Sequence, residues 1–63
     1  MAFIKSFTDE NNIEVKLYTN NAGKACVRGY DLDAGEVITI TVYPSMDKAE
    51  TAYTKLEGLM ARA

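Results

Sequence analysis

The stretch Glu36-Val37-Ile38-Thr39-Ile40-Thr41-Val42-Tyr43-Pro44-Ser45 decides how the chain is read. After Glu36, every residue up to Tyr43 is β-branched or aromatic, the composition that packs best on a pleated surface. Strict alternation puts Ile38, Ile40 and Val42 on one side and Val37, Thr39, Thr41 and Tyr43 on the other. Pro44 has no N–H to donate and ends the ladder. Ser45 is placed to cap a helix, and Asp47 adds a negative charge to the first turn, where the helix dipole favours one. Further on, Ala49, Ala52, Tyr53, Leu56, Leu59, Met60 and Ala63 recur at steps of three and four, the stripe of an amphipathic helix over about 46–62. Gly58 weakens that helix by about 1 kcal/mol relative to Ala.

Upstream, the period changes to two. Ile13, Val15 and Leu17 alternate with Glu14, Lys16 and Tyr18, the mark of a half-buried strand. Ala25, Val27 and Gly29 alternate with Cys26, Arg28 and Tyr30. The opening Ala2-Phe3-Ile4-Lys5-Ser6-Phe7 is a further short apolar segment. The polar stretches from Thr8 to Asn12, Asn20 to Gly23 and Asp31 to Gly35 are turn-prone and tolerate positive φ. The reading is one domain, 1–63, with strands over about 2–7, 13–19, 24–30 and 36–43. Three tight connections give an antiparallel meander, and the helix has only the sheet to bury its stripe against. The predicted class is α+β: a two-layer ββββα fold, with the four-stranded antiparallel meander covered on one face by the C-terminal helix.

This reading predicts a core of Ile4, Ile13, Val15, Leu17, Val27, Ile38, Ile40 and Val42 against Tyr53, Leu56, Leu59 and Met60. The second face of the sheet stays open, carrying Phe3, Lys5, Phe7, Glu14, Lys16, Tyr18, Cys26, Arg28, Tyr30, Val37, Thr39, Thr41 and Tyr43. Such a face is ordinary when solvated, but aromatic residues around an arginine are also the composition of contact surfaces. Tyr18, Tyr30 and Arg28 are therefore candidate partner-binding residues.

A second candidate surface comes from topology. A meander returns its first and third turns to the same end of the sheet. Asp9 and Glu10 should therefore lie beside Asp31, Asp33 and Glu36, five of the chain's nine carboxylates. Acidic turn residues serve solubility and turn formation. Gathered at one end, they also make an anionic knob for a basic groove.

Composition excludes several classes. In 63 residues with 7 basic and 9 acidic side chains the net charge is −2, without the basic patch of a nucleic-acid binder. With no His and a single Cys, Cys26, the chain has no internal disulfide, no structural zinc site and no His-based catalysis. Cys26 falls mid-strand, away from any helix N-terminus that would lower its pKa. No phosphate-binding glycine loop is present, and Asp31 to Glu36 lacks the roughly twelve-residue ligand pattern of a calcium loop. The expectation is a non-enzymatic protein without cofactor or metal. The N-terminus has no secretory signal pattern, and no apolar run approaches the ~20 residues of a membrane helix. A cytoplasmic protein with no membrane contact is expected.

The opening Met1, Phe3, Ile4 and Lys5, the segment Val15, Tyr18 and Asn20, and Ser45 ahead of a helix bearing Glu50 carry a family likeness. With the four-stranded meander and closing helix, they resemble small phage anti-CRISPR proteins that inhibit type I surveillance complexes. Where that family uses an aromatic contact after the opening motif, this sequence has Ser6, so of its contact residues only Tyr18 carries over. The resemblance implies a non-enzymatic inhibitor in the bacterial host cytoplasm. Its partner would be a Cas subunit, and its acidic surface would mimic DNA. Two other readings stand beside it. One is self-association into a weak homodimer through the open face. The other is single-strand nucleic-acid binding, since the layout also resembles coactivator domains of that kind, which are basic.

Overall fold

The computed structural model describes residues 2–60. Four strands, β1 (Ala2–Thr8), β2 (Ile13–Thr19), β3 (Ala25–Asp31) and β4 (Glu36–Tyr43), precede a single helix, α1 (Met46–Met60). The strands form one antiparallel sheet in the order β1-β2-β3-β4, an open meander with β1 and β4 at its edges. The ββββα architecture is the one the sequence predicts. Residues 61–62, the expected end of the helix, together with Ala63 and Met1, lie outside the described residues.

Each hairpin is closed by the same device. Asp9 Oδ1 accepts hydrogen bonds from the N–H groups of Asn11 and Ile13, both at 2.9 Å. Asn20 Oδ1 accepts from Ala22 and Lys24, and Asp31 Oδ1 from Asp33 and Ala34. These are Asx turns, in which a short side chain takes over backbone donors that the turn leaves unpaired. Asn12, Gly23 and Gly35 take the left-handed conformation that tight reversals need, with φ of 60°, 78° and 69°. The helix start follows its sequence signal. The Lys48 N–H donates to Ser45 Oγ at 3.3 Å, and the Ala49 N–H to the Ser45 carbonyl at 3.2 Å.

The core lies between α1 and the middle of the sheet. Val15, Leu17, Ala25 and Val27 are buried beneath Ala49 and Tyr53, with Phe7, Tyr43, Met46 and Met60 packed around them. Tyr53, 1% exposed, meets Phe7 edge to face at a centroid distance of 5.4 Å. Lys5 Nζ lies 5.1 Å from the same ring.

Both edge strands depart from simple alternation. In β1 the register slips by one residue between Phe3, opposite Tyr18, and Lys5, opposite Leu17, so Ile4 is an extra residue. In β4 it slips between Val37, opposite Tyr30, and Thr39, opposite Gly29, so Ile38 is extra. A bulge reverses which face every later side chain occupies. Lys5 and Phe7 therefore lie under the helix rather than on the open face. Thr39, Thr41 and Tyr43 also turn to the helix side, while Ile40 and Val42 join the open face. The predicted core placement of Ile4, Ile38, Ile40 and Val42 is corrected accordingly: all four are exposed. Gly29 helps explain the β4 slip. A Cβ there would lie 3.3 Å from Thr39 Cγ2, so the threonine methyl occupies the space that glycine leaves.

The helix stripe is also narrower than predicted. Ala49 and Tyr53 are buried, but Leu56 is exposed and Leu59 is 57% exposed. The helix rests on β2 and β3, with a lighter contact to β4. Its covered line runs through Met46, Ala49, Tyr53 and Met60. No helix among the described residues is long and apolar enough to cross a membrane.

Candidate protein-binding surfaces

The first and third turns meet at one end of the sheet. The Leu32 N–H donates to the Asn12 carbonyl at 3.0 Å, and Asn12 Nδ2 donates to Asp33 Oδ1 at 3.0 Å. These two bonds join segments twenty or more residues apart and hold Asp9, Glu10, Asp31, Asp33 and Glu36 in one neighbourhood. The carboxylates are not equivalent. Asp9 and Asp31 organise their own turns, and Asp33 ties one turn to the other. The carboxylates of Glu10 and Glu36 make no hydrogen bond or ion pair among the described residues. Each structural carboxylate uses one oxygen, so the end remains anionic toward solvent. Among the described residues no group of three or more acidic or cysteine side chains is arranged to hold a metal ion.

The open face of the sheet satisfies most of its own charge. Glu14 Oε1 accepts from Arg28 Nη2 at 3.5 Å and lies 4.0 Å from Lys16 Nζ. Arg28 also stacks over Tyr30, with its guanidinium carbon 5.1 Å from the ring centroid. Lys16 Nζ lies 5.9 Å from the Phe3 centroid. Arg28 Nε is buried without a hydrogen-bond partner. Both cations of this face are thus engaged by one carboxylate and two rings, which leaves little free positive charge for a nucleic-acid backbone.

Tyr18 is only 8% exposed, packed beside the buried Cys26, whose thiol donates to the Lys24 carbonyl at 3.6 Å. Burial, with Cys26 beside it, pushes the Tyr18 phenol above its ordinary value, against the opposing pull of Arg28. Tyr30 is half-buried under Arg28. Of the open-face candidates, Tyr18 is therefore the least available to a partner. Alternation places Phe3 and Val37 on this face but misses Ile40 and Val42. Phe3, Val37, Ile40 and Val42 are all exposed, and Val37 and Ile40 close a shallow hollow of about 250 Å³ with Lys16, Tyr18 and Arg28. The one signal that pointed to Ile40 and Val42 is Gly29, because a glycine inside a strand often marks a bulge or a close approach.

No family model, curated protein or solved structure matches this chain.

Proposed function

We propose that the protein acts by binding rather than by catalysis, presenting its acidic end to a basic groove on a protein partner. The observation that supports this is the pair of hydrogen bonds joining the first and third turns, from Leu32 to Asn12 and from Asn12 to Asp33. A fixed array of carboxylates binds more strongly than a mobile one, since less side-chain and loop freedom is lost on docking. In the form implied by the anti-CRISPR resemblance, the partner is a Cas subunit of a type I surveillance complex. The carboxylates then take the place of DNA phosphates against Lys and Arg.

The test follows from how each acid is used. Charge reversal at Asp9, Asp31 or Asp33 would disturb the turns themselves. Asp31→Asn and Asp33→Asn keep the acceptor oxygen and remove only the charge, and Glu10→Gln and Glu36→Gln touch no turn. The four changes together should leave folding intact and slow association with purified surveillance complex. They should also flatten its salt dependence, because rim charges act mainly on the rate of encounter. Association as fast as wild type at low salt would refute the proposal.

A further inference from the structure

We propose that the outer edge of β4 pairs with β4 of a second copy, in antiparallel register centred on Thr41. The two edges of the sheet differ in how they are guarded. β1 carries Lys5, an inward-turned charge of the kind that keeps sheet edges from pairing side by side. From Val37 to Tyr43 β4 has no charge and no proline, and its one bulge, at Ile38, lies near its start. Thr39 to Tyr43 therefore form a regular strand whose outward N–H and C=O groups have no strand partner among the described residues.

The strand is complementary to itself. A two-fold axis through Thr41 sets Thr41 opposite Thr41, Ile40 opposite Val42 and Thr39 opposite Tyr43. Each pair falls on a common face, as antiparallel pairing requires. Ile40 and Val42, 52% and 54% exposed, then form one aliphatic cluster with the same two residues of the second copy. Pro44 and the Ile38 bulge set the limits of the paired segment.

Charge favours the same arrangement and selects a second copy as the occupant. One end of the molecule holds the five gathered carboxylates. The other end, where the second turn adjoins the start of α1, carries Lys24, Lys48 and the positive pole of the helix, against Asp47. Antiparallel pairing brings Glu36 of each copy level with the helix start of the other. Parallel pairing would set the two acidic ends side by side. The inference stands independently of the acidic-end proposal, because it uses only β4 and the polarity of the molecule.

Sedimentation velocity from low micromolar to millimolar protein tests it. The mass should rise from 7.0 kDa toward a dimer. Ile40→Lys with Val42→Lys should abolish the rise, Val37→Lys outside the paired segment should leave it, and Glu36→Lys should weaken it. In the wild type, amide exchange of outward β4 N–H groups should slow as concentration increases, which decides the matter even if a variant fails to fold. A single 7.0 kDa species at millimolar concentration would overturn the proposal and leave the edge to a foreign strand. A dimer whose β4 amides stay unprotected, or one lost equally in Val37→Lys, would overturn it in favour of a face-to-face contact.

Discussion

Truncating Tyr53 to alanine removes the largest fully buried side chain among the described residues. The ring lies between α1 and the sheet, with Phe7 edge to face at 5.4 Å and the Lys5 ammonium at 5.1 Å. Loss of a buried aromatic costs about 3–5 kcal/mol, including the cavity it leaves. Stability scales at roughly 0.05–0.15 kcal/mol per residue, which for this length gives roughly 3–9 kcal/mol in total. Tyr53→Ala should therefore remove about a third or more of the total stability, and all of it at the low end of that range. Leu59→Ala should cost less than about 1 kcal/mol, because the side chain is more than half in water already. The assay is urea unfolding followed by far-UV circular dichroism, with both variants and a Phe7→Leu, Tyr53→Leu cycle to isolate the ring pair. That coupling should be about 0.5–1.5 kcal/mol. Equal losses for Tyr53→Ala and Leu59→Ala would refute the helix placement, since a helix rolled toward Leu56 and Leu59 would produce that result.

Three further outcomes follow from single sites. Burial, with Glu57 nearby, raises the Tyr53 phenol above its ordinary value, as burial raises Tyr18. A phenol that ionises less readily when folded stabilises the fold fully below its unfolded value near 10 and loses that contribution as pH rises beyond it, so alkaline melting should begin there and be delayed in Tyr53→Phe. Gly58 is exposed in the helix with open space around it, so Gly58→Ala should raise the urea midpoint by up to about 1 kcal/mol of stability, while Gly35→Ala at φ 69° should lower it by a similar amount. Cys26 is buried and should react with a thiol reagent only as fast as the fold opens, a rate that mild urea should accelerate.

The elements were legible because their signals are local. Alternation from Ile13 to Leu17, the Pro44-Ser45 junction and the Asx residues Asp9, Asn20 and Asp31 each act within a few residues of themselves. The meeting of the first and third turns was also legible, since it needs only the count of reversals. The faces of the edge strands were not. Placing Ile40 and Val42 in the core assumed unbroken alternation, and one extra residue at Ile38 reverses it. That slip depends on Thr39 fitting over Gly29 across the strand pair, a contact between positions ten residues apart that periodicity does not report. The same holds for Ile4 and Phe7 in β1. Leu56 and Leu59 continue the helical stripe in sequence, but the sheet beneath is covered by Met46, Ala49, Tyr53 and Met60. In the candidate site, charge could be read from the sequence, but the division of labour among the acids could not. Asp31 and Asp33, one methylene shorter than Glu10 and Glu36, accept donors of the turns, and the bond from Asn12 to Asp33 joins residues 21 apart, a contact no local signal reports.

The proposal that the acidic end occupies a groove meant for nucleic acid is tested most directly by competition. Purified type I surveillance complex is held with labelled target DNA while this protein is titrated in at two salt concentrations. The account predicts that DNA is displaced by the wild type and far less by the chain carrying Glu10→Gln, Asp31→Asn, Asp33→Asn and Glu36→Gln, with the difference shrinking at high salt. DNA retained in full by the complex, or displaced equally by both chains, would contradict it.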